Sequence, residues 1–405
     1  MSDEKKKKPD APDKHHAVHT DINTVRRNER SIRRMKRLLA LLMVILIGLA
    51  IYMTYPMWMP KLEGIFDKPV TTIHNDGKAE GGNFPIEPTE KTTNILALGN
   101  QLMTADAHSL TLYSSDGEKT DSFAHAFSKP VERVCGKRAL VFDSGAYGFK
   151  LYSKKGEIYS KTTDDIILSG SLSENGTAAI LTESSKYASL VLFYDKDGKL
   201  VYRYGCTSRV MAVSVTEDGK SAYVCTFCSQ DGEIFSQVRR LDFSQDGEQM
   251  VSEDIRTLAI DCICNDAGDI LVAGDTGLYT VSPEGKLVSS YEFDGTLSYA
   301  ALGRGCSAAI VANATDNDST LVIAASGAED TEAFRTATID SSVKKLSIAD
   351  DRVLMLTDSK VLSYAFSGTL AAEADVGREY VNFIYADSAV YLAGKRGIDK
   401  IKFEM

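Results

Sequence analysis

The chain has 405 residues, 43% of them hydrophobic and 25% charged, with a formal net charge of −10 at pH 7. That length allows two or three ordinary domains or one large repeat array. The charge is unevenly placed: residues 1–37 hold twelve Lys or Arg against six Asp or Glu, and the rest of the chain holds 34 basic and 50 acidic residues. So acidic a body argues against nucleic-acid binding, which needs basic stripes that displace phosphate counterions.

The first twenty residues are charged, carry proline and have few apolar side chains, which predicts disorder. Residues 21–37 read as a helix leading into an apolar run, with Glu29 and Arg33 as a supportive i, i+4 pair. Arg33, Arg34, Lys36 and Arg37 end abruptly at Leu38, and residues 38–55 (LLALLMVILIGLAIYMTY) contain no charge. At a helical rise of about 1.5 Å per residue, the run is roughly 27 Å long, close to the hydrocarbon thickness of a bilayer. Tyr52, Tyr55 and Trp58 gather at its far end as interfacial aromatics do, and Pro56 and Pro60 end the helix. Arg33, Arg34, Lys36, Arg37, Tyr55 and Trp58 are therefore the expected membrane-interface residues, with the basic flank in the cytoplasm and the chain beyond about residue 58 outside. A cleaved signal peptide is the competing reading; 37 residues precede the apolar run and no clear small-x-small site follows it. The expected organisation is a basic, partly disordered cytoplasmic tail over 1–37, a transmembrane helix over 38–55, an extracytoplasmic linker over 56–83 and a β-propeller over 84–405. The basic tail acts as a topology signal or binds anionic lipid headgroups.

The propeller expectation rests on a repeat. Segments 110–117 (LTLYSSDG), 149–156 (FKLYSKKG) and 191–198 (VLFYDKDG) each alternate apolar residues and end in a turn glycine, with looser copies ending at Gly247, Gly285, Gly327 and Gly368. A period near 40 residues built only from strands predicts a β-propeller. Inner strands are expected to begin near Asn94, Val131, Ile166, Val210, Leu258, Leu297, Val343 and Tyr380, one for each of eight blades; seven blades is the alternative if one group is split wrongly. The last group ends after three strands. An open sheet edge there invites aggregation, so 84–87 (FPIE) is expected to supply the closing strand.

Several stretches carry a resemblance: FPIE at 84–87, Pro130-Val131, RALVF at 138–142, Asn175-Gly176, 181–183, YAS at 187–189 and Asp197-Gly198. They resemble an uncharacterised bacterial family of single-pass membrane proteins with a propeller-like body and a domain of unknown function, typical of Gram-positive anaerobes. The resemblance covers the anchor and nearly all of the rest. It implies a bacterial cell-surface protein and brings no catalytic residues.

Signals for chemistry are sparse. Only His108 and His125 of the six histidines fall in the propeller, both read as surface loop residues, which disfavours His-rich metal sites and a Ser-His-Asp triad. Trp58 is the only tryptophan, whereas quinoprotein propellers dock their blades through repeated tryptophans. Asp195-Lys196-Asp197-Gly198 resembles the start of a calcium loop but lacks its later acidic ligands, so a hairpin turn is the reading there and at 316–319. The seven cysteines are odd in number and sit among apolar neighbours, which predicts mostly buried free thiols, with one disulfide as an alternative. No catalytic, cofactor or metal residue is assigned. Loops 184–189 (SSKYAS) and 227–234 (FCSQDGEI) are polar and carry an aromatic, which makes Lys186, Tyr187, Phe227, Gln230 and Asp231 the candidate partner contacts. The expected function is a non-enzymatic scaffold that binds a protein or an envelope polymer. The alternative is a carboxylate-dependent hydrolase or lyase on cell-surface glycans, which requires two acids converging in the central channel from different blades.

Overall fold

A computed structural model describes residues 38, 39, 42, 43, 46, 73–77, 81–87, 94–313, 318–326 and 334–404. The chain divides into two units, Met1–Pro69 and Val70–Met405. Of the first unit, Leu38, Leu39, Leu42, Met43 and Leu46 are described; they are helical and 51–67% exposed. Among the described residues no helix is long and apolar enough to cross a membrane. Arg33, Arg34, Lys36, Arg37, Tyr55 and Trp58 lie outside them.

The second unit is an eight-bladed β-propeller. Its blades span 95–124, 130–162, 167–206, 209–251, 259–292, 296–339, 343–375 and 380–402, each an antiparallel meander whose first strand is innermost. Inner strands begin within a residue or so of the positions read from the sequence. The turn glycines Gly117, Gly198, Gly247, Gly285 and Gly368 all adopt φ between 78° and 89°, the left-handed conformation that a tight turn requires of them. Gly327 lies outside the described residues.

The middle strands are apolar without interruption because each blade is covered on both faces. In Arg138–Asp143, Leu140 and Phe142 pack toward blade 3, while Ala139 and Val141 pack toward blade 1. Successive side chains thus feed two different cores. Eight such clusters exist, one at each interface between neighbouring blades, including the interface of blade 8 with blade 1. There Ile86, Ala393 and Ile398 meet Ile95, Leu102 and Tyr113.

Residues 84–87 close the ring as expected. Ile86 and Ile398 exchange both backbone hydrogen bonds, at 2.8 and 2.9 Å, so the segment stands as the fourth strand of blade 8. The linker reading of 56–83 needs one correction. Ile73–Asn75 forms a strand that pairs in parallel with Leu370–Asp375, the outer strand of blade 7. His74 Nδ1 lies 2.8 Å from Glu373 Oε1, and the Asn75 side-chain amide donates to the Glu373 carbonyl at 3.3 Å. Three residues are too few to show a periodicity.

His125 lies in a loop after Lys119–Ala124, as read, but not at the surface. It is 2% exposed, and its Nδ1 accepts the Phe127 N–H at 3.1 Å, so Nε2 carries the proton and donates to the Asp106 carbonyl at 3.0 Å. Burial pulls its pKa below the usual histidine value. The facing Asp106 opposes that shift, and Lys150 and His108 reinforce it.

Two predictions follow from this architecture. Ile86→Ala, at the closure, should cost about 2–4 kcal/mol in urea unfolding, whereas Ile158→Ala on the exposed outer strand of blade 2 should cost under about 0.5 kcal/mol. For His125 the folded pKa lies below the unfolded one, so its contribution is complete above the ordinary histidine pKa and is lost as pH falls through the folded value. His125→Gln should therefore be destabilised at about pH 7.5 by roughly 1–2 kcal/mol, with the gap to wild type narrowing toward about pH 5.

Candidate functional site: the central channel and the blade 4 hairpin

Four-stranded meanders place their turns alternately at the two ends of the ring. Turns joining strands one to two and three to four share one end, here the lower. Turns joining strands two to three share the upper end with the blade-to-blade connections.

At the lower end one arginine gathers three acids. Arg304, in the first turn of blade 6, places Nη2 3.2 Å from Glu174 Oε2 of blade 3. Its Nη1 lies 2.9 Å from Glu217 Oε1 of blade 4 and 3.8 Å from Asp266 Oδ1 of blade 5. All four belong to first turns of successive blades, so the guanidinium lies over the channel mouth. The ion pair holds the Glu217 carboxyl below the usual carboxylate range and raises the Arg304 pKa. Exposed ion pairs contribute little to stability, so the cluster serves to neutralise crowded carboxylates at the opening.

Behind it lies a cavity of about 950 Å³ walled by the inner strands of blades 2–6. Each inner strand is paired on one side only, which leaves the backbone of its free edge toward the channel. In blades 3–8 every inner strand carries an irregularity at its second or third residue, where Leu168, Met211, Ile260, Ser298, Lys344 and Val381 are skipped by the register. A bulge leaves its extra residue out of the ladder and re-aims its side chain. Leu168, Ile260 and Val381 are accordingly 39, 49 and 43% exposed, although they lie on the innermost strands.

Two charged residues of the channel, Asp261 and Lys345, directly follow bulges, whereas Glu132 and Arg133 lie on the unbulged inner strand of blade 2. Asp261 of blade 5 is reached by water yet hemmed in by the walls, and burial pushes its carboxyl up; the facing Arg133 of blade 2 partly offsets this. The two make no direct ion pair: an Asp261 oxygen accepts the Cys262 N–H at 2.9 Å, and Arg133 donates to the Glu132 carbonyl at 3.0 Å. Glu132 takes a 2.6 Å hydrogen bond from the Asn94 side chain, and burial raises its pKa too. Lys345 of blade 7 bonds Asn382, and burial lowers its pKa. The acids that do converge, at the lower mouth, converge on Arg304.

The five candidate contact residues all lie at the upper end, on neighbouring blades 3 and 4. Lys186 and Tyr187 occupy a turn in which Ser184 Oγ accepts the N–H of both, each at 3.2 Å. Tyr187 is committed structurally: its ring lies against Gly205, where an added Cβ would fall 2.6 Å from it, and Lys186 Nζ sits 5.1 Å over its centroid. The 227–234 segment is a regular hairpin rather than a loop. Strands Ser221–Gln230 and Glu233–Asp242 are ten residues each, and Asp231 and Gly232 both have positive φ, 53° and 85°, the two-residue turn that matches strand twist. Phe227 is half-buried and pairs with Ser236, while Gln230 and Asp231 form the tip. Ile234 is 48% exposed. Arg256, from the blade-to-blade connection, pairs with Glu233 at 3.5 Å beside a recess that Asp254 also lines. Sequence reasoning missed Ile234 and Arg256; an Asp-Gly flanked by strand-forming residues was the available signal.

Asp195 Oδ1 accepts the N–H groups of Asp197 and Lys199 at 3.0 and 2.8 Å, so this carboxylate builds the turn itself. All seven cysteines are free thiols; Cys225 and Cys228 diverge, the first into the core between blades 4 and 5, the second toward Ser208.

Fold and site together define an eight-bladed propeller with a mixed polar and apolar channel and a projecting hairpin on blade 4. The chain belongs to a family of unknown function, DUF5711, which matches residues 83–403. No curated protein matches it. Among solved structures, BamB from Moraxella catarrhalis is similar at a TM-score of 0.52 and 13% identity, covering 78% of this chain and 95% of that one, a likeness of fold alone.

Because the Asp261 carboxyl is raised in the folded state, its charge opposes folding at neutral pH, and the opposition fades as pH falls through the folded pKa. Asp261→Asn should therefore melt higher than wild type at neutral pH, with the difference vanishing in acid; thermal unfolding across pH checks this.

Proposed function

We propose that this chain is a membrane-anchored, extracytoplasmic propeller that binds a protein or envelope polymer as a scaffold, without performing chemistry on it, through the upper end of blades 3 and 4. The observation that carries this reading is the blade 4 hairpin. Its last three pairs, Cys228–Phe235, Ser229–Ile234 and Gln230–Glu233, continue past the end of the inner strand, whose pairing stops at Arg209–Phe227. They leave Ile234 exposed among charged neighbours, an apolar anchor with a polar rim. Anchoring is supported by the uncharged run 38–55 behind a dense Lys/Arg flank, and by the exposed apolar helical residues at its start.

The test places a photo-crosslinking residue in the full chain in intact cells at Gln230, at Lys186, or at Lys154 in a lower turn. The upper positions should give one reproducible adduct by mass spectrometry, lost when 228–235 is shortened to a two-residue turn. The same adducts from Lys154, or none from Gln230, would sink the contact surface. Protease added outside the cells should digest the propeller; protection would refute the topology.

A further inference from the structure

The channel holds an arrangement that scaffolding at the hairpin leaves unused. Asp261 and Arg133 face the same cavity from blades 5 and 2, and they are not paired with each other. Their side chains have only local backbone partners among the described residues, so each can accept an outside charge. Met211 and Ile260 of blades 4 and 5 and Tyr299 of blade 6 line the same cavity, with Ile260 exposed by its bulge. Ser169 of blade 3 also lines it. The free edges of the inner strands offer N–H and C=O groups that an extended chain can meet.

We propose that the central channel binds a short peptide with free termini and apolar side chains. Its ammonium group would sit on Asp261 and its carboxylate on Arg133, and its amides would meet the inner-strand edges. Four features select this class of ligand. Opposite charges held apart fit a zwitterion and disfavour a simple anion or cation. The apolar part of the lining fits aliphatic or aromatic side chains. Unpaired strand edges fit amides. A cavity of about 950 Å³ lies within the usual range for ligand sites and exceeds what a single amino acid fills. Entry is from the upper end, since Arg304 and its three acids lie over the lower mouth. Arginine suits the carboxylate end because its planar fork donates to both oxygens at once.

The site is distinct from the hairpin, so the two readings fail separately. The test is calorimetric titration of the full chain in detergent with trileucine, its N-acetyl form and its C-terminal amide. Trileucine should bind saturably, and blocking either terminus should weaken it about tenfold or more. Asp261→Asn should reproduce the loss caused by acetylation and make acetylation cost nothing further. Arg133→Gln should do the same for amidation. Ile234→Ser, on the hairpin, should leave trileucine binding unchanged. No saturable binding up to about 10 mM by protein with an intact melting transition would overturn the proposal. So would binding that Asp261→Asn and Arg133→Gln both leave unaltered.

Discussion

Every feature of the propeller depends on closing the ring. A blade has two apolar faces, and each must be covered by a neighbour, so an open array would leave two faces in water. Closure converts eight sheets into eight interfaces with no end. The last join is the delicate one, because blade 8 supplies three strands from the end of the chain and takes its fourth from residues some three hundred positions earlier. Ile86 serves both needs: its backbone completes the sheet and its side chain fills the core between blades 8 and 1.

With the ring closed, the first strands are forced together around an axis, and their free edges make a channel wall. The bulges of blades 3–8 then decide what that wall displays. Each drops one residue out of the ladder at the same place, so Leu168, Met211, Ile260 and Val381 stand at inner positions while the following residues resume the pairing. The channel is therefore neither a uniform polar pore nor a filled core. Repetition also accounts for the lower mouth: equivalent first turns come to equivalent places, which brings Glu174, Glu217 and Asp266 within reach of one guanidinium.

Much of the architecture was legible before any coordinates. The turn glycines recur because a tight turn between the third and fourth strands of a blade needs a left-handed residue, and Gly117, Gly198 and Gly368 mark that need directly. The inner strands and the closing segment at 84–87 could be read from alternation and from the shortage of a strand at the C-terminus. The functional surface was legible only in outline. Residues 227–234 stood out as polar, yet their pairing as a long hairpin, and the approach of Arg256 to Glu233, depended on a connection twenty residues away. Tyr187 looked available and is spent on covering Gly205. His125 looked like a surface loop residue and is instead a buried bridge between two backbone groups.

By itself the sequence determined the all-β repeat, its period, the blade count to within one, the means of closure and the charge step at the apolar run. These properties are local or periodic, and they follow from side-chain alternation and from what a tight turn demands of φ. Tertiary structure alone decided which residues meet across the axis: Arg133 facing Asp261, Arg304 gathering three acids, and Ile73–Asn75 docking on blade 7. Those contacts join residues between some forty and three hundred positions apart. Their distances are set by ring geometry and by bulge placement, neither of which leaves a periodic trace in the chain.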